Sequence, residues 1–215
     1  MAAGRVKNER RQGSPLRREQ AAATRARIVA AAGGVFESRG YEGARIEDIA
    51  AEAGVAVPTV YKTFLNKRNL LKAAVEVAMT GGAEGRPERL TWFREQLEEP
   101  DAERQLRLIA RNARRMYYRA GRLLEVVRAA ALSDVDIEAL WQDIQEDRLS
   151  RSRTTARRLA KNGTLRGTVP QTARTLWALS VPELYLLQIQ GANFSPDDYE
   201  RWLGDLLVAA VLEPD

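Results

Sequence analysis

Residues 41–68, YEGARIEDIAAEAGVAVPTVYKTFLNKR, constrain this chain more than any other stretch. Ile46, Ile49, Ala50 and Ala53 fall at i, i+3, i+4 and i+7, which makes one face of a short helix apolar. Gly54 follows at once, the residue most easily placed in the left-handed conformation that ends a helix and turns the chain. Pro58 comes next, and it is acceptable only in the first turn of a new helix, where its missing N–H costs nothing. Val57, Val60, Tyr61 and Phe64 then repeat at helical spacing. Two short helices joined by a tight glycine turn make a helix-turn-helix, whose second helix is the usual reader of a major groove.

Size and composition narrow the rest. At 215 residues the chain holds one small and one medium domain with ample apolar content for a core. It has no cysteine, so disulfides and thiolate metal sites are excluded, and no histidine, so Ser-His-Asp and Cys-His enzymes are excluded too. A carboxylate-only active site has no support in the sequence, and no metal site or cofactor is implied. The formal charge of +5 is unevenly spread. Residues 1–72 carry 14 Lys/Arg against 7 Asp/Glu, a net +7, and residues 73–215 carry a net −2. A basic excess on the helix-turn-helix half is what a phosphate-binding module needs. The first twenty residues have no apolar segment of a signal peptide, and no run approaches the ~18–20 residues that cross a bilayer, so the expectation is a cytoplasmic protein with no membrane partner.

The pattern resembles the N-terminal domain of TetR-family transcriptional regulators. The resemblance is carried by Phe36, Gly40-Tyr41, Ile49-Ala50, Ala53-Gly54-Val55, Thr59, Tyr61, Phe64, Lys67 and Leu70-Leu71, in order and spacing over residues 27–71. It implies an all-α fold, with an N-terminal three-helix helix-turn-helix domain followed by a larger helical bundle for ligand binding and dimerisation. The division expected is a basic, mostly disordered arm over 1–23, a DNA-binding domain over 24–72, and an effector-binding and dimerisation domain over 73–215. The implied function is a sequence-specific DNA-binding regulator, a repressor released from its operator by a small-molecule effector. The alternatives are a helical interaction protein, or a DNA-binding regulator without a ligand.

Periodicity assigns Ile46, Ile49, Ala50, Ala53, Val55, Val60 and Phe64 to the motif's core. The opposite face leaves Val57, Pro58, Thr59, Lys62 and Thr63 for double-stranded DNA, with Arg45 before the preceding helix. By resemblance, Tyr61 and Lys67 bind phosphates, and Thr59 donates to a phosphate or a base. Val57 and Pro58 suit thymine methyl groups, while Lys62 and Arg45 can donate to guanine. Three residues depart from the family's pattern. Arg45 stands where a capping Thr or Ser is usual, Pro58 where Gly is commoner, and Thr63 where His or Tyr is frequent.

The remaining stripes are generic. A helix is clear from Thr24 and closes at Gly40, and Asn66 caps the next one. Residues 80–87, TGGAEGRP, read as a flexible junction. Residues 101–119 read as one helix, with a shorter apolar piece at 123–132 after Gly121. A long helix covers 134–162, and its Arg-rich second half, from Arg148, reads as a solvated face. A helix over 170–190 should kink at Pro182, and Ser195-Pro196-Asp197-Asp198 should start the last one. By resemblance the last two long helices build a homodimer, using Leu184, Leu187, Tyr199, Trp202 and Leu206, and the dimer reads a palindromic operator. A largely apolar effector pocket would draw on Trp92, Met116, Tyr117, Trp141, Trp177 and Tyr185, with Phe93 beside them.

Overall fold

Ile28, Val29, Ala32 and Phe36 recur on one side of the first helix and are all buried, so α1 (Pro15–Gly43) is the beam on which the N-terminal helices are laid. The computed structural model describes residues 15–82 and 90–214. Within them follow α2 (Ile46–Glu52), α3 (Val57–Phe64), α4 (Lys67–Thr80), α5 (Thr91–Glu98), α6 (Ala102–Ala130), α7 (Val135–Asn162), α8 (Val169–Leu179), α9 (Pro182–Leu186), a π-helical turn (Leu187–Gly191) and α10 (Pro196–Val211). The only β pairing among the described residues is an isolated antiparallel bridge between Leu165 and Leu212. The fold is all-α, as the periodicity predicts. Among the described residues no helix is long and apolar enough to cross a membrane.

The first helix starts well before Thr24, from which the sequence makes it clear. Residues 15–23, expected to belong to a disordered arm, are helical and exposed. Leu, Arg, Glu, Gln and Ala are all strong helix formers, and Pro15 stands at the first position, where it fits. Their missing apolar period therefore reflects a helix exposed on every side. The rest of that arm, residues 1–14, lies outside the described residues. At the other end Gly40, with φ 68° and ψ 178°, occupies a region open almost only to glycine and closes the regular helix where the sequence indicates.

α4 joins the two halves, and the expected boundary between residues 72 and 73 falls inside it. Asn66 caps it, its side chain accepting from the Asn69 N–H at 2.8 Å. Leu70, Leu71, Ala73, Ala74 and Val75 are all buried, because α1 packs on one side of α4 and α6 on another. The junction expected over 80–87 is described only to Gly82; residues 83–89 lie outside.

α6 corrects a second expectation: it runs unbroken through Gly121 rather than as two pieces. A Cβ there would stand 3.4 Å from Leu186 Cδ2, so the glycine serves the close approach of α9. α8 breaks at Ser180-Val181 and Pro182 opens α9, as the proline predicts. α10 begins with a capping box between Ser195 and Asp198. Its stripe of Tyr199, Leu203, Leu207 and Val211 is buried on its own chain, chiefly against α6. Tyr199, at 0% exposure and 4.9 Å from the Tyr185 ring, is thus a core residue and not free to face a partner. Leu184, Trp202 and Leu206 are half-buried, and Leu187 is exposed.

Two left-handed residues flank the short helices with opposite energetics. Gly54 has φ 64°, and Leu65, which ends α3, has φ 67°. Left-handed backbone costs an L-residue roughly 1–2 kcal/mol, so Gly54→Ala should destabilise the chain by that amount. Leu65→Gly should relieve the same strain and lose roughly 0.5–1 kcal/mol to backbone entropy. Leu65 is 75% exposed, so little burial is given up. The expected net is neutral to about 1 kcal/mol more stable, so the urea midpoint should fall for Gly54→Ala and hold or rise for Leu65→Gly.

Candidate DNA-binding surface and bundle cleft

Ile46, Ile49, Ala50, Ala53, Val60 and Phe64 are buried, with Val55 partly so; α2 packs on α1, and α3 packs on α2 and α4. That fixes which way α3 faces. Arg45 occupies the N-cap of α2 and makes no side-chain capping bond there, so its guanidinium stays exposed. On α3, Pro58, Tyr61 (46% exposed) and Lys62 stand outward. Val57, Thr59 and Thr63 are half-buried, and Val57 packs partly on the core. The Thr63 hydroxyl donates to the Thr59 carbonyl at 2.7 Å, which leaves its oxygen as an acceptor. Neither Arg45 nor Lys62 has an acidic partner among the described residues. The nearby acid Asp48, on α2, is engaged by Arg39 at 2.5 Å.

Lys67 has partners within the chain. Its ammonium donates to the carbonyls of Tyr41 at 2.8 Å and Ala44 at 3.2 Å, and lies 4.4 Å from the centre of the Tyr41 ring. It ties the end of α1 to the start of α4 across the motif, and one of its three N–H groups remains for another acceptor. Tyr41 stacks on Phe36, and its hydroxyl is pushed up to about 12, first by burial and then by the charge of Asp134. Arg68 reaches Asp136 on α7 at 3.4 Å. The motif is therefore in electrostatic contact with the α6–α7 corner of the bundle.

A second site lies among α5, α6, α7 and α8. Trp92, Phe93, Met116, Tyr117, Leu176 and Trp177 wall a cleft of about 90 Å³. Four of the six residues expected around an effector are there. Trp141 and Tyr185 are not: Trp141 packs beside the core and Tyr185 is buried against Tyr117 and Tyr199. Nor is the wall only apolar. Gln96 and Asn112 meet in it at 3.1 Å, Ser152 and Thr155 face it from α7, and Arg148 lies in it.

Arg148, only 6% exposed, departs from the reading of α7's Arg-rich second half as a solvated face, while Arg153, Arg157 and Arg158 are exposed as expected. It donates to the Gln145 side chain at 2.5 Å and to the carbonyls of Trp177 and Ser180 at 3.0 and 2.8 Å, covering the end of α8. The Tyr117 hydroxyl donates to the same Ser180 carbonyl at 2.5 Å, and burial pushes its pKa up. The signal for Arg148 was in the spacing. It continues the inward row of Ile137, Trp141 and Ile144 towards Thr155 and Leu159, and its charge masked that position.

Comparison with known proteins agrees with this arrangement. Residues 28–74 match the sequence profile described as bacterial regulatory proteins, tetR family. No curated protein sequence matches the chain. Among solved structures, a putative transcriptional regulator from Saccharomonospora viridis in complex with choline is 22% identical, covers 88% of this chain and 98% of its own, and superposes with a TM-score of 0.67. FadR from Bacillus subtilis, in complex with stearoyl-CoA, is 18% identical over 86% of this chain and 98% of its own, also at 0.67. NalD, the secondary repressor of the MexAB-OprM multidrug efflux pump in Pseudomonas aeruginosa, is 20% identical over 91% and 100%, at 0.67. Likeness at this level shows a shared fold.

Lys67→Ala removes the only side-chain donor to the Tyr41 and Ala44 carbonyls among the described residues. It should lower stability by about 1.5–3 kcal/mol, the usual scale for hydrogen bonds to charged groups. Denaturant unfolding checks this, and an unchanged midpoint with an unchanged m-value would mean that the tie carries no weight.

Proposed function

We propose that this chain, whose N-terminal domain belongs to the tetR family of bacterial regulatory proteins, is a transcriptional repressor that leaves its operator when a small molecule enters the bundle. The observation that carries the DNA-binding part is the outward face of α3. Pro58, Tyr61 and Lys62 project from a helix whose other side is locked into the core, beside an equally unpaired Arg45. The half that bears them has a net charge of +7, so the surface draws in phosphates before any base is read. On this reading Tyr61 and the remaining N–H of Lys67 meet phosphates, Thr59 meets a phosphate or a base, and Lys62 and Arg45 donate to guanine edges. Val57, half-covered, offers at most part of its methyl surface beside Pro58.

Two copies would hold two half-sites about one helical turn, ~34 Å, apart. The subunit contact proposed is the outer side of α8 to α10, through Leu184, Leu187, Trp202 and Leu206. The effector part rests on the cleft among α5 to α8, and on two structural relatives that hold a ligand, choline in one and stearoyl-CoA in the other. α4 supplies the route. It runs from Lys67 at the motif into the packing of α6, so a bundle that shifts on binding shifts the recognition helix with it. Release then needs only a differential affinity: a ligand preferring the DNA-free form ~100-fold contributes about 2.7 kcal/mol of coupling.

The test is fluorescence anisotropy with duplexes from the DNA flanking the protein's own gene. Affinity should fall steeply and linearly with salt on logarithmic axes, and Lys62→Ala or Arg45→Ala should reorder the preference among base-substituted duplexes. Variants that weaken all duplexes alike would remove Lys62 and Arg45 from base reading. A second measurement addresses assembly. Leu206→Asp would bury an unpaired carboxylate at the contact, so light scattering should show monomers and DNA affinity should collapse. A dimer that still binds DNA would place the interface elsewhere.

A further inference from the structure

The cleft walls contain two arginines and no carboxylate among fifteen residues, a bias that the apolar stripes of α5 to α8 do not require. Arg148 is the telling one. Its guanidinium is buried, yet its partners are all uncharged: the Gln145 amide, two backbone carbonyls, the Tyr117 hydroxyl and the face of the Trp177 ring at 5.8 Å, with no Asp or Glu among the described residues. A buried charge is costly unless an opposite charge or a full set of hydrogen bonds offsets it. Carbonyls at a helix end supply part of that offset and leave a net positive charge at the wall. Glu183, whose charge is felt at Tyr117, lies outside the cleft wall; one of its oxygens reaches Arg128 at 3.6 Å and the other is buried without a hydrogen bond.

A second, independent observation concerns the same corner. The Trp177 indole N–H and the Ser180 hydroxyl are buried without a hydrogen-bond partner, and both residues line the cleft. An indole N–H can only donate. Orphaned polar groups of this kind are rare and cost free energy until an acceptor arrives. A buried cation, a donor without an acceptor and an unused hydroxyl converge on the end of α8.

We infer that the cleft takes a carboxylate ligand, its acid group held by Arg148 and by the donors of Trp177 and Ser180, its apolar body against Met116, Leu176 and Trp92. This rests on the reading of the bundle as an effector site and names the ligand's charge within it. At about 90 Å³ the cleft is smaller than the ~150 Å³ cavity known to hold a benzene ring, so it admits a short acyl acid as it stands, and an aromatic acid only after side chains on its open side move aside. Quaternary ammonium ligands, such as the choline bound by one structural relative, are disfavoured, because a buried cation faces them and no carboxylate does. The sequence expectation of a largely apolar pocket is accordingly refined: the body of the ligand is apolar and its head is anionic.

The experiment compares acids with their own amides on the full chain, so shape is held constant while charge changes. Butyrate and butyramide, benzoate and benzamide, and choline are titrated with tryptophan fluorescence and calorimetry as readouts. At least one acid should bind at least ~10-fold more tightly than its amide, and choline should bind more weakly than either acid. In Arg148→Gln the acid should lose that advantage while the amide keeps its affinity, and Arg148→Lys should restore part of it. If Arg148→Gln does not fold, the acid–amide ratio in the unaltered chain decides alone. Equal affinity for acid and amide, tightest binding by choline, or no acid binding up to millimolar concentration overturns the inference. Operator affinity of the ligand-free protein is measured separately. DNA binding without carboxylate binding would sink this inference alone, and carboxylate binding without DNA binding would sink the functional reading alone.

Discussion

The burial of α4 on two sides is the constraint on which the rest of the structure depends. Leu70, Leu71, Ala73, Ala74 and Val75 are buried and leave Lys72, Glu76 and Val77 as its exposed edge, so the helix belongs to the motif's core and to the bundle's core together. A helix buried on two sides cannot slide against one partner without opening space against the other, because packed interiors tolerate few voids. Lys67 fixes its first turn to the end of α1. Arg119 on α6 holds its last turn, donating to the carbonyls of Ala78 at 3.0 Å and Met79 at 3.4 Å. Arg68 adds an ion pair to α7 that is partly exposed and correspondingly weak. Any motion in the bundle would therefore reach α3 through packing, with electrostatics as a minor contributor.

The same architecture separates the two kinds of chemistry. Unpaired cations at the motif lie at the surface, where they cost nothing in the free protein and gain when phosphates replace counterions. The cation of the bundle, Arg148, is buried and committed to carbonyls at the end of α8. The break between α8 and α9 matters to this, since Ser180, left outside the helix by Pro182, presents a carbonyl that both Arg148 and Tyr117 use.

Much of this was legible in the sequence, for identifiable reasons. The motif's core followed from residues at i, i+3, i+4 and i+7, and Gly54 and Pro58 marked the turn because few other residues suit those backbone angles. The caps at Asn66 and Ser195, and the break at Pro182, were readable for the same local reason. What was hidden depends on distant partners. The exposed first turns of α1 showed no apolar period, since nothing packs on them. Gly121 looked like a terminator until α9 was seen to lie against it. The stripe of α10 could not say whether its cover came from its own chain, and α6 supplies that cover for Tyr199. Arg148 was discounted for its charge although its position along α7 pointed inward.

The central claim is that α3 reads duplex sequence as one half of a symmetric pair. Selection of binding sites from a random duplex library, at a stated salt concentration, tests it most directly. The expected result is enrichment of an inverted repeat whose half-site centres lie about 10 base pairs, or a small multiple of that, apart. Retention of duplexes with no common sequence, or of a single unrepeated site, would contradict it.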